Sequence, residues 1–272
     1  MLRPGTAVRR CRGLLRDVRF YRSLVRAERT QRQTRTNDMA GLSPALRAFV
    51  DQLPEERCSL LAFVQAVAAE LPPGTRILDA GAGNAPYREL FAHCDYVTAD
   101  WESSPHAQAL GADIVGSLER LPIESSTFDA VLSTQVLEHV AEPMRVLREL
   151  HRVIRSGGRL YLTAPLTGEL HEEPHDYFRY TSYGLRHLLG QAGFTVDVLR
   201  PRNGYFTTLA SLARTGTWSI DHAVAGSEPR NAAAKRLLSR LALLLPALDD
   251  LDERKLLPLG YECVATRRED RG

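Results

Sequence analysis

From Arg76 onward, short apolar runs of strand length alternate with longer stretches of helical period. Runs at 76–80, 96–99, 112–116, 128–133, 159–164 and 194–199 predict strands, and Gly260 to Thr266 predicts a last one that returns to the sheet edge. Helices are predicted at 84–92, 104–110, 142–154 and 181–191. This alternation predicts an α/β fold, a mostly parallel sheet with helices on both faces. Ligands of such sheets sit at the carboxyl ends of the strands near the switch point, here placed at strand 76–80. Upstream, Ser43 and Pro44 suit the N-cap and first turn of one helix. A second helix, Glu55 to Leu71, stops at Pro72-Pro73-Gly74.

Both ends of the pattern depart from it. Residues 1–10 are read as disordered, and 11–28 as a helix. Leu14, Leu15, Val18, Tyr21, Leu24 and Val25 lie on one arc of that helix, and Arg12, Arg16, Arg19, Arg22 and Arg26 on another. A polar linker, 30–41, follows. Residues 202–258 form a mostly helical insert, long for a connection. Its apolar face holds Leu237, Leu238, Leu241, Leu244, Leu245 and Leu248. Four segments result: a basic helix and linker (1–41), a core (42–201), a helical insert (202–258) and the last strand with a tail (259–272).

Charge sharpens the division. Residues 1–36 hold eleven Arg against Asp17 and Glu28, about +9, so a net charge of +2 leaves about −7 for the remainder. A mildly acidic body gives no support for nucleic-acid binding. The basic helix suits either a solvated cover for the domain or a second copy, making a homodimer, or peripheral contact with an anionic membrane face. A mitochondrial presequence is the other reading of an Arg-rich, acid-poor start. Only Lys235 and Lys255 accompany 33 Arg, a bias that points to a GC-rich bacterial genome. Cys11, Cys58, Cys94 and Cys263 are scattered, with no zinc or disulfide pattern, which suits a reducing cytoplasm. No apolar run reaches the ~18–20 residues of a membrane span, and Arg interrupts any signal-peptide stretch.

The chemistry concentrates in RILDAGAGNAPYRELFAHCDYVTAD, Arg76 to Asp100. A buried strand ends on Asp79, and Gly81 and Gly83 allow a backbone to approach a ligand closely. Asp79 stands where its carboxylate can hold turn amides or a ligand ammonium. Asp100, at the tip of the next strand, is placed to accept two ribose hydroxyls. A nucleoside cofactor follows. Pro86 stands where the dinucleotide fingerprint needs glycine, which argues against a nicotinamide oxidoreductase.

Downstream come Leu121-Pro122 and Phe128-Asp129, Val136-Leu137-Glu138-His139-Val140, and Ile154-Arg155-Ser156-Gly157-Gly158 before the fifth strand. With Asp79-Gly81-Gly83 and Asp100, this series resembles the class I S-adenosylmethionine-dependent methyltransferases of the small-molecule group, over residues 76 to about 200. The resemblance implies a Rossmann-like sheet of seven strands and S-adenosyl-L-methionine as cofactor. It implies that Asp79, Gly81 and Gly83 face the methionine part, Asp100 the ribose and Trp101 the adenine. Ser117 stands where relatives often carry an Asp at the adenine amine, and Leu118 follows it. Gln135 borders the methionine end. In related quinone-precursor enzymes a second acid near this position belongs to a metal cluster; Gln135 occupies it here, so no metal is expected. Gly157-Gly158 is read as a turn needing left-handed φ.

Methyl transfer from a sulfonium needs mainly proximity, and a base only for a hydroxyl of high pKa. His139 and the loop His171-Glu172-Glu173-Pro174-His175-Asp176-Tyr177-Phe178-Arg179-Tyr180 hold the candidates. His175 is the first choice of base, His139 and Asp176 follow, and Arg179 and Tyr180 are assigned to the acceptor. The insert is expected to cap that pocket. The expected reaction is O-methylation of a small molecule or a glycan- or lipid-linked intermediate. C- or N-methylation and a cofactor-binding protein without chemistry are the alternatives.

Overall fold

In the computed structural model the described residues are 39–102, 111–222 and 228–268, with Arg22, Ser23, Val25, Arg26, Arg29, Thr30 and Gln33. Those seven isolated residues are helical, and Thr30 and Gln33 lie in the stretch expected to be linker. The remainder of the expected basic helix, the expected disorder at 1–10 and the expected helix 104–110 lie outside the described residues. No described helix is long and apolar enough to cross a membrane.

One compact unit comprises Leu42–Gly204 and Lys255–Gly272. It opens with α1 (Pro44–Gln52) and α2 (Pro54–Glu70). Ser43 caps α1 as expected, its Oγ accepting from Leu46 N at 3.2 Å. The strands are β1 (Arg76–Ala80), β2 (Asp95–Asp100), β3 (Ile114–Val115), β4 (Phe128–Thr134), β5 (Ile154–Pro165), β6 (Phe194–Arg202) and β7 (Gly260–Arg267). Helix α3 (Pro143–Val153) precedes β5, and α4 (Ser182–Gln191) precedes β6. The seven strands form one sheet in the order β3-β2-β1-β4-β5-β7-β6, parallel from β3 to β5. The order reverses between β1 and β4, so β1 borders the switch point as expected. Central strands covered on both faces read as continuous apolar runs. Accordingly Ile77, Leu78, Val131, Leu132 and Leu160 are fully buried. Each such side chain contributes about 1.5–3 kcal/mol of burial. Helix α3 lays Val146, Leu147, Leu150 and Val153 on this core.

Three expectations are corrected. Strand β7 does not lie at the edge: it runs antiparallel between β5 and β6, which takes the edge. The helix expected at 84–92 is a single 3-10 turn, Arg88–Phe91. Ala85 precedes a proline, which disfavours the helical region, and it takes φ 48°. Strand β3 is cut to two residues, because the Asp113 carboxylate accepts from Thr98 N (2.9 Å) and Thr98 Oγ1 (2.8 Å) where a backbone ladder would continue. Of the expected Gly157-Gly158 turn, Gly157 has the left-handed φ, 73°, Gly158 does not, and both lie within β5 rather than ahead of it.

The second unit includes Tyr205–Arg254. Helix α5 (Tyr205–Asp221), α6 (Glu228–Leu244) and a 3-10 turn (Leu245–Leu251) fill the stretch expected to be helical. Free amides at the start of α5 are met by carboxylates. Tyr205 N donates to Asp252 Oδ2 (2.7 Å) and Thr207 N to Asp249 Oδ1 (2.9 Å). Of the six leucines expected on one apolar face, Leu237 and Leu241 are exposed, while Leu238 meets Gly216 of α5.

Candidate active site

The switch point is knit together by the end of β2. Gly81 N and Ala82 N donate to Ala99 O at 2.8 and 3.2 Å, and Gly83 N donates to Asp100 Oδ2 at 2.6 Å. Asp100 Oδ1 accepts from Trp101 N at 2.8 Å. Asp100, rather than Asp79, therefore holds a turn amide. Asp79 is buried, and its Oδ2 accepts from the Tyr96 hydroxyl. Burial raises its carboxyl to about 6 despite that hydrogen bond. Gly81 (φ 80°) and Gly83 (φ 54°) both sit in the left-handed region. A Cβ on Gly81 would lie 2.5 Å from Val136 Cγ2, so glycine is required there twice over.

Two cavities open over this turn. The larger, about 570 Å³, is lined by Gly81, Gly83, Asp100, Trp101, Ser117 and Leu118, with His175 and Tyr177 opposite. The smaller, about 290 Å³, is lined by Asp79, Asn84 and Tyr87, by Glu56 and Arg57 of α2, and by His171 and Arg179. Gly81, Gly83, Gln135, His139 and Glu172 line both. Seven of the eight expected cofactor residues thus meet in one cavity and Asp79 in its neighbour. Ser117 is exposed, with Oγ accepting from Glu119 N at 3.2 Å. Trp101 leaves 37% of its surface open and meets the His175 ring edge-on, centroids 5.1 Å apart. Gln135 (φ 54°) is locked to β5 by its backbone N and Nε2, both donating to Thr163 Oγ1.

The expected catalytic and acceptor residues divide. His175 lines the larger cavity beside Trp101, its Nδ1 3.1 Å from the Tyr177 hydroxyl. Asp176 is a buried carboxylate filled by Arg179, which donates through Nη1 (2.6 Å) and Nη2 (2.9 Å). That pair, with His171 N donating to Oδ2, holds Asp176 down at about 2. Arg179 reaches the smaller cavity. Tyr180 does not line either cavity: it is buried in the core and donates to Leu137 O at 2.8 Å.

His139 lines both cavities. Its Nδ1 lies 2.8 Å from His175 O, an acceptor, so Nδ1 carries the proton and Nε2 keeps its lone pair. Burial lowers its pKa, so the neutral ring prevails at neutral pH. His171 repeats the pattern, with Nδ1 3.0 Å from Glu169 O. Glu138 beside them is fully buried, and among the described residues neither carboxylate oxygen has a hydrogen-bond partner. Burial pushes its carboxyl up to about 8. One ligand atom each from Glu138, His139 and His171 fall within 4.8 Å of one another, an arrangement able to hold a metal ion. The expectation of no metal rested on Gln135; the third donor comes instead from the loop after β5.

Arg57 and Tyr87 were not singled out from the sequence. Helix α2 buries Leu60, Leu61, Phe63 and Val64 on more than one face, so no polar stripe marks its cavity-facing end. Tyr87 follows Pro86 in a polar turn whose burial only the fold reveals.

A methyltransferase domain family matches residues 78–162. A Mycobacterium sp. (strain JLS) protein described as an uncharacterized methyltransferase is 30% identical over 183 residues, 61% of this chain and 68% of that protein. The malonyl-[acyl-carrier protein] O-methyltransferase of Herminiimonas arsenicoxydans is 33% identical over 129 residues, 42% of this chain. A ubiquinone biosynthesis O-methyltransferase of Xanthomonas axonopodis pv. citri is 31% identical over 110 residues, 36% of this chain. The chain spans about half the length of these two relatives, 48% and 46%. Among solved structures, the [4+2]-cyclase SpnF superposes with a TM-score of 0.51 at 18% identity, covering 79% of this chain and 82% of its own, a likeness of fold. With its sheet order and switch-point turn, the chain belongs to the class I S-adenosylmethionine-dependent methyltransferases.

Proposed function

We propose that this enzyme methylates a hydroxyl oxygen of a small molecule or of a glycan- or lipid-linked intermediate, with His139 Nε2 taking the acceptor's proton. The observation that carries the reading is the His139 tautomer: Nδ1 donates to His175 O, and Nε2 is left as a base on a residue lining both cavities. S-adenosylmethionine supplies an electrophilic methyl group on a sulfonium. The chain's own part is to bind, orient and exclude water, worth up to ~7–11 kcal/mol. In this reading Asp100 accepts the ribose hydroxyls, Trp101 and His175 flank the adenine with Ser117 and Leu118, and Gly81, Gly83 and Asp79 border the methionine part. Gln135 stands between the cavities, and Arg179 faces the acceptor. The O-methyltransferase names of two relatives support the oxygen assignment. The arginines of residues 1–36 support contact with an anionic surface, where a lipid-linked acceptor would be met.

The test is release of S-adenosylhomocysteine with hydroxylated acceptors. His139→Ala should lower kcat about 10²–10⁴-fold and leave cofactor affinity unchanged. Full activity in that variant would refute the base and favour C- or N-methylation. Cofactor binding without turnover on any acceptor would favour a non-catalytic protein. A second reading has its own observation, the Glu138, His139 and His171 cluster. There a divalent cation with imidazole and carboxylate donors would orient the acceptor oxygen. Loss of turnover on chelation, restored by the ion, would select it over the base.

A further inference from the structure

Helix α6 has two unlike faces. Lys235, Leu238 and Ala242, spaced i, i+3 and i+7, share the inner one. Lys235 pairs with Asp221 of α5, Leu238 meets Gly216 of α5, and Ala242 is buried. The opposite face is open. Leu237 (60% exposed), Leu241 (39%) and Leu243 (50%) share it with Arg230, Arg236 and Arg240, which are exposed too. From Pro229 to Leu248 the chain carries four cations and no acid. Lys235 is the one paired inward; Arg230, Arg236 and Arg240 have no ion-pair partner among the described residues. An exposed leucine by itself is ordinary. Three of them set among unopposed arginines make a surface with two demands, apolar contact and negative charge.

We propose that this face of α6 docks on an anionic lipid surface, with Leu237, Leu241 and Leu243 entering the headgroup boundary and the three arginines against lipid phosphates. It holds whichever acceptor atom is methylated. A lipid surface meets both demands at once: interfacial helices combine leucines with a cationic face, and each arginine near an anionic leaflet adds its own attraction. Other occupants meet one demand at most. A second copy related by a two-fold axis would set arginines against arginines. Residues 1–36, at about +9, offer no counter-charge either. A nucleic acid would neutralise the arginines but leave the leucines unused, and the stretch from Pro229 to Leu248 holds no aromatic ring for a base to stack on.

Co-sedimentation of the full chain with vesicles tests this, using phosphatidylcholine alone and an equal mixture with phosphatidylglycerol. The wild-type chain should bind the mixed vesicles and leave the neutral ones. Arg236→Gln and Arg240→Gln should each weaken that binding about 5-fold. The pair Leu237→Gln and Leu241→Gln should weaken it about 10-fold. Its Tm should match wild type, because neither leucine is buried. Residues 1–36 are the same in every variant, so the differences read α6 alone. Vesicle binding unchanged in the leucine variant, equal binding to both vesicle types, or none to either overturns the docking face. A dimer in gel filtration that the leucine variant dissolves gives the face to a second copy and overturns it too. So does binding of single-stranded RNA that the arginine variants lose and the leucine variant keeps.

Discussion

Replacing Gly81 by alanine should damage the switch point by two separable routes. The first is backbone: φ 80° at Gly81 costs an L-residue about 1–2 kcal/mol. The second is contact: the added Cβ would sit 2.5 and 2.7 Å from the two Val136 methyl carbons, and overpacking of this kind costs about 1–3 kcal/mol. Together Gly81→Ala should lose about 2–5 kcal/mol of stability. Val136→Ala alone, at a half-buried position, should cost about 1 kcal/mol. In the double variant the two methyl contacts disappear, while the Cβ of residue 136, 3.2 Å away, and the backbone strain stay, so the two single costs should exceed the combined one by about 1–3 kcal/mol. Urea unfolding followed by far-ultraviolet circular dichroism measures all four corners of the cycle. Costs that add within about 0.5 kcal/mol would refute the close approach as the reason for glycine. Calorimetric titration of the double variant then reads how far the turn's shape, apart from its stability, sets cofactor affinity.

Asp100→Ala should abolish measurable S-adenosylmethionine binding by calorimetry, since it removes both the proposed ribose acceptor and the anchor of Gly83 N; Asp100→Asn should keep the fold and lose most affinity. Asp176→Asn should lower stability at neutral pH. Asp176 is held near 2 in the folded chain, below its unfolded value. Its stabilisation is therefore full above about pH 4 and lost as pH falls toward 2, and denaturant midpoints of wild type and variant should converge over that window. If His139 is the base, kcat should stay flat through neutral pH. It should fall only below the ordinary histidine range, because burial lowers that pKa. An acidic limb at or above pH 7 would contradict the assignment.

Motifs carried by local sequence were legible. Asp79, the two glycines and Asp100 fall where their spacing put them, because strand ends and turns are fixed within a few residues. What eluded the sequence depends on distant parts of the chain. Arg57 reaches the cavity from α2, ahead of the sheet, and His171 reaches Glu138 and His139 from a loop beyond β5. Tyr96 hydrogen-bonds to Asp79 across neighbouring strands, a pairing that only their register reveals. The helix expected at 84–92 failed for a local reason, the residue before Pro86, which a stricter reading of proline would have caught.

Strand β7 has a consequence for how the chain is assembled. Its residue Gly260 faces Arg202 at the end of β6, so the helical stretch between them starts and finishes at one rung of an antiparallel ladder. Topologically, Tyr205–Arg254 is the tip of a β-hairpin. Loop closure grows only logarithmically with length, about 0.6 kcal/mol for each doubling. Large changes in that tip therefore burden the sheet little in equilibrium terms. The burden falls on kinetics: β5 and β6 have no mutual pairing, so β6 and the edge of β5 turned away from β4 must wait for β7 to arrive between them. Such non-local pairing slows folding. A ribosome-bound chain would expose β6 and the outer edge of β5 until Arg267 emerged, which makes this end of the sheet the last to be completed.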